Sequence, residues 1–298
     1  MHPAGSLIFF TVLSGLGFGW MAFLGLGYGP ETGGWEAFSR LFPAAALAAA
    51  GLSGSLLHLG NPRRAWRALS QWRSSWLSRE GVFALAALGS FAIFAALWVF
   101  AGAKIAPLGA LAAAFSALTV LATGMIYAQL KAVPRWRHWS TPALFLALSA
   151  AGGALLSGLF ALSAGLLALS LAVQLVAWHE GDRAFSRTGS DLGTATGLGS
   201  RGRVRLLEGP HTGRSYLTEE MGFRVARRRS RALRRVAVVA GYAVPAALLL
   251  WAAQGGPGAV AAPALVLHLI GVAASRWLFY AEAEHVQSLY YGLGANRA

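Results

Sequence analysis

The chain contains no cysteine, so it cannot form disulfides or hold iron–sulfur clusters, Cys-ligated zinc or a cysteine nucleophile within itself. Charge is also scarce. Asp, Glu, Lys and Arg make up 12% of the 298 residues, where a soluble domain uses roughly 25% to coat its surface. With 56% hydrophobic residues and a mean hydropathy of +0.54, a soluble fold would leave a large apolar surface in water. Acidic residues are scarcest, 11 against 25 Lys and Arg, for a net charge of +14. Such an excess would suit nucleic acid, but its carriers flank apolar segments of membrane-spanning length. A membrane protein explains both facts and nucleic-acid binding explains one, so lipid is the expected partner.

What is present is long apolar runs. A bilayer core takes about 20 helical residues. Residues 2–30 carry no Asp, Glu, Lys or Arg, and Met1-His2-Pro3 leads into a run too long for a cleavable signal, so the first span is expected to be retained. The stretches 138–179 and 236–275 are each long enough for two spans, with turns placed at Gly158–Gly165 and at Gln254-Gly255-Gly256-Pro257-Gly258. The expected fold is an all-α integral membrane bundle of eight transmembrane helices, about 6–26, 44–59, 82–100, 107–127, 142–158, 164–178, 236–251 and 259–280, in a single domain. The small-residue spacings Gly15–Gly19 and Gly25–Gly29 read as close helix packing.

Loop charge sets the orientation. Of the 25 Lys and Arg residues, five lie in 60–81, three in 128–141 and thirteen in 179–235; Arg276 and Arg297 lie towards the C-terminus. Only Arg40 and Lys104 lie on the alternate loops. The positive-inside rule then places both termini and the long basic loop 179–235 in the cytoplasm, with the protein in the inner membrane. That loop, including Arg227-Arg228-Arg229-Ser230-Arg231, suits a docking cytoplasmic partner or, more simply, topology and anionic lipid.

The densest segment is 57–80. His58 closes the second helix and Asn61-Pro62 stops it. Residues 64–77 then read as an interfacial helix with Trp66, Leu69, Arg73, Trp76 and Leu77 at helical spacing. Glu80 is expected to open the third helix, where the helix dipole favours a carboxylate. An imidazole and a carboxylate flanking one interfacial segment could exchange protons with a quinone head group seated among the tryptophans. The plainer alternative is a helix-end histidine and a capping glutamate beside a lipid-binding basic helix. Haem would need two facing histidines within the bundle, and only His268 sits inside a span, where it reads as a buried hydrogen-bonding residue. The residues Trp178-His179-Glu180-Gly181-Asp182, with Arg276, Glu282, Glu284 and His285, suggest ion pairs that fix helix ends.

The run His58-Leu59-Gly60-x-Pro62-x-x-Ala65-Trp66-Arg67 followed by Ser70-Gln71-Trp72-Arg73-Ser74-Ser75-Trp76-Leu77-Ser78-Arg79-Glu80 closely resembles the membrane anchor subunits of dimethyl-sulfoxide-reductase-type molybdoenzymes, the DmsC family. The opening His2-Pro3-x-x-Ser6-Leu7-Ile8-Phe9-Phe10-Thr11 and the ending Arg276-Trp277-Leu278-Phe279-Tyr280-Ala281-Glu282 are similar as well. This resemblance implies a haem-free integral subunit of an oxidoreductase complex. Such a subunit exchanges electrons between ubiquinone or menaquinone and a four-cluster iron–sulfur subunit wired to a molybdopterin catalytic subunit. It assigns the quinone-site histidine and glutamate to His58 and Glu80, and Arg64, Trp72 and Arg73 between them are the residues expected to shape the pocket. The stretch Leu207-Glu208-Gly209-Pro210-His211-Thr212-Gly213 to Phe223 resembles the branch serving cytoplasmic sulfite dehydrogenases, and Asn61 departs from the pattern of the site. Quinone reduction coupled to sulfite oxidation is therefore the expected function. The alternatives are a quinol-oxidising anchor of a dimethyl sulfoxide or tetrathionate reductase, a secondary transporter and a lipid-surface scaffold.

Overall fold

A computed structural model describes residues 3–56, 62–208 and 225–291. It is all-helical, with no β-strand among the described residues. The long helices are α1 (Gly5–Gly25), α2 (Gly34–Leu56), α3 (Trp76–Ala101), α4 (Ala106–Ala128), α5 (Ser140–Leu156) and α6 (Phe160–Arg187). After the short α7 (Leu192–Thr196), one rod runs through α8 (Val225–Val238), a π-helical turn (Val239–Ala243) and α9 (Val244–Ala253), and α10 (Ala261–Ala281) closes the bundle. Six helical rods, formed by α1, α3, α4, α6, residues Ser230–Ala253 and residues Gly258–Ala281, are long and apolar enough to cross a membrane. The apolar α5 is shorter, at 17 residues, and α2 has the length but carries Glu36, Arg40 and Pro43.

Several helices outrun the apolar stretches. α2 starts at Gly34, α6 ends at Arg187 and α8 begins at Val225, because Glu, Arg and Ala propagate a helix as readily as apolar residues do. The reversal between α5 and α6 is tighter than a Gly158–Gly165 turn. Gly158 adopts φ +77°, α6 begins two residues later, and Ser163 donates to the Ala151 carbonyl at 2.8 Å.

α1 is the central rod and packs against α2, α4 and α5. A Cβ added at Gly17 would stand 2.2 Å from the backbone of Ala48, one at Gly19 would stand 1.9 Å from the Ser149 carbonyl oxygen, and one at Gly25 would stand 2.4 Å from that of Gly109. The expected small-residue packing is therefore found at Gly19 and Gly25. Gly15 faces open space instead, and Gly29 meets the Trp98 ring. The other half of the bundle uses polar bonds. Pro245 has no N–H to give the carbonyl four residues back, that of Gly241, and the π turn forms there. His268 of α10 fills the vacancy, its Nδ1–H donating to Gly241 O at 2.7 Å. The buried hydrogen-bonding role expected of His268 thus has a local cause.

Candidate functional site

Of the residues singled out by sequence, Arg64, Trp72 and Arg73 lie on the segment leading into α3 and Glu80 lies on its second turn. His58 lies outside the described residues. The segment after it is a 3-10 helix over Pro62–Gln71, followed by a turn, rather than an α-helix over 64–77. The break has a clear cause. Ser75 caps α3 by accepting from the Ser78 N–H, which fixes the helix start at Trp76. Arg79 holds the preceding turn open by donating to the carbonyls of Trp72 at 3.0 Å and Arg73 at 2.7 Å, so those carbonyls do not extend a helix. The 3-10 segment is pinned to α3 by Ser78, which donates to the Ala68 carbonyl, and by Leu69, which lies over the Cβ-less Gly81.

Around this clamp the surface is aromatic and basic. Trp66 is 67% exposed and Trp72 52% exposed, with the guanidiniums of Arg67 and Arg73 over their respective rings. Arg79 stacks over Trp76 at 4.4 Å. The side chains of Arg64, Trp72 and Arg73 are exposed.

Glu80 differs from the expectation of a helix-opening carboxylate. It stands one turn inside α3, is 5% exposed, and accepts a hydrogen bond from the Thr123 hydroxyl of α4. A carboxyl in such a setting exchanges protons with few competing solvent partners. Thr123 escaped the sequence reading, and so did Tyr127, one turn further along α4 and on the same face. Its hydroxyl lies 2.7 Å from that of Tyr280 on α10. The rings of Tyr127, Trp136, Phe145, Phe279 and Tyr280 pack into one aromatic block beneath them.

The expected ion pairs are present with a partly different membership. Arg135 pairs with Asp182 and, at 3.2 Å, with Glu282. Arg234 bridges Asp182 at 2.7 and 2.8 Å and Glu282 at 2.9 and 3.0 Å. This cluster ties the α4–α5 loop, α6, α8 and the end of α10 together beside an open cleft of about 570 Å³. Arg276 takes no part in it, being buried in the core over the Phe145 ring.

The model of the family described as DMSO reductase anchor subunit (DmsC) matches residues 1–177. A sulfite dehydrogenase subunit from Allochromatium vinosum is 32% identical over 333 aligned positions, which cover 98% of this chain and 99% of that protein. No solved structure matches. With its membrane-spanning helices and more than half its length matched, this chain belongs to the DmsC family of DMSO reductase anchor subunits.

Proposed function

We propose that this protein is the quinone-reactive membrane anchor of a molybdoenzyme complex. It takes electrons from a four-cluster iron–sulfur subunit, which collects them from a molybdopterin subunit oxidising sulfite, and it reduces quinone. In this reading α2 and α5 join the six longer apolar rods to give eight spans, both termini face the cytoplasm, and Pro62–Gln71 lies at the inner interface. Similarity along nearly the whole chain to a sulfite dehydrogenase subunit supports sulfite as the electron source.

The observation that carries the quinone reading is the burial of Glu80 beside an exposed aromatic surface. A quinone has an apolar ring and two carbonyl oxygens that need protons when reduced. The exposed faces of Trp72 and Leu77 suit the ring, and Glu80 supplies a carboxyl sheltered from bulk water, so the residues at the α3 foot fit such a substrate. Glu80 and His58 would move protons, and Arg64, Trp72 and Arg73 would hold the head group.

In the purified complex, Glu80→Gln is expected to slow reduction of a short-chain quinone by roughly a hundredfold. Reduction of the iron–sulfur centres by sulfite should stay unchanged. An unaltered quinone rate would sink the assignment of Glu80. The family description favours one second reading, a quinol-oxidising anchor for a reductase. Turnover with sulfite, compared with turnover on S- and N-oxides, separates the two directions.

A further inference from the structure

Arg276 is 2% exposed within the bundle. Its guanidinium stands 3.4 Å from the Phe145 ring centre, and its Nε has no hydrogen-bond partner among the described residues. A cation at such depth is a candidate for function rather than for stability. The hydroxyls of Tyr127 and Tyr280 lie 2.7 Å apart; Arg276 stands one turn before Tyr280 on α10, and Thr123, which donates to Glu80, stands one turn before Tyr127 on α4.

Two small cavities flank the guanidinium. One, of about 20 Å³, is bordered by Thr11, Ser149 and His268; the other, of about 30 Å³, is bordered by Thr141, Gln174 and Ser275. A cavity needs roughly 10–15 Å³ to hold a water, so each has room for one with polar partners. The second cavity also touches Arg135 and Glu282, which line the open cleft at the ion cluster. Polar groups thus run from the cleft, past Gln174 and Ser275, to Arg276, and Arg276 and Tyr127 both lie against the Phe145 ring.

We infer that this line of groups is the proton inlet of Glu80, opening at the Arg135–Asp182–Arg234–Glu282 cleft. The inference rests on the reading that Glu80 protonates quinone. When Glu80 gives its proton to a carbonyl oxygen reduced by electrons from the iron–sulfur partner, its carboxylate is left negative. It regains a proton from Tyr127, through one water or through the Thr123 hydroxyl one helical turn away. Tyr127 takes the proton of Tyr280. Cavity water fed from the cleft gives Tyr280 a proton in the same motion, and Arg276 offsets the negative charge that develops on the Tyr280 oxygen during the transfer. Each transfer moves one proton and leaves none unaccounted for.

The test uses the purified complex in lipid nanodiscs without quinone. After a downward pH jump, infrared spectroscopy follows the protonated-carboxyl band that Glu80→Gln removes. Tyr127→Phe and Tyr280→Phe keep the packed rings and delete only the hydroxyls. Each is expected to leave the final band intact and to slow its rise on the order of tenfold or more. Ser275→Val, which narrows the second cavity without touching the tyrosines, is expected to slow the same rise. Unchanged rates in these variants would overturn the inlet. The quinone assay of Glu80→Gln is read separately: full activity there removes the quinone reading, while the infrared rise still decides the inlet.

Discussion

Along α1, backbone meets backbone at Gly17, Gly19, Gly25 and Gly51; around the ends of α6, α8 and α10, Arg135, Asp182, Arg234 and Glu282 meet instead. In lipid the first kind of contact gains from close dispersion packing, because apolar side chains have no water to escape. It has no tolerance for volume. The second kind tolerates shape but not loss of charge, since two guanidiniums and two carboxylates neutralise one another at a half-buried site. The seam fixes which helices are neighbours, and the cluster fixes the polar end where proton chemistry can enter.

The largest effect is expected on the seam. Gly19→Ala places a Cβ against the Ser149 carbonyl, and overpacking of this kind costs about 3 kcal/mol. Gly15→Ala, four residues earlier and facing open space, is expected to change almost nothing. Thermal unfolding in detergent compares the two, and equal losses would break the account of the seam. At the cluster, Glu282→Gln removes a carboxylate only 7% exposed that serves both arginines, with an expected cost of about 2 kcal/mol. Asp182→Asn removes one that is 43% exposed, and should cost below about 1 kcal/mol. A reversed order would show that solvent does not grade these pairs.

The two regions were unequally legible in the sequence. Charges are too costly in hydrocarbon to be scattered, so the basic loops mark the polar end directly. Small-residue spacing announces close packing along α1 but does not name the partner, and it includes Gly15, where an added Cβ would meet nothing within 4 Å. Glu80 reads as a helix opener because the sequence cannot show that α4 lies across it and presents Thr123. Arg276 reads as one more charge near the C-terminal end, yet the same helix carries it into the core one turn before Tyr280. The expected helix 236–251 runs unbroken through Pro245, and that the Gly241 carbonyl captures His268 depends on α10 packing alongside.

The smallest expected effect separates the two regions by pH. His285 lies beyond α10, where partial burial holds its imidazole below the ordinary value of 6.5. Its Nδ1 accepts the Gln287 N–H at 3.1 Å, and the adjacent Val286 N–H donates to Ala132 O at 2.9 Å. A depressed imidazole stays neutral in the folded chain while the unfolded chain takes up a proton. Its contribution is therefore present above about pH 6.5 and is lost as pH falls through the folded value. Once protonated, Nδ1 carries a hydrogen and cannot accept from Gln287. Hydrogen exchange at the Val286 and Gln287 amides, corrected for intrinsic rates, should accelerate modestly between pH 7.5 and pH 5. The α1 seam presents no ionisable group at its glycine contacts, so its amides should hold their protection across the same interval. Equal loosening of both would mean that pH acts on the whole bundle and not on this segment.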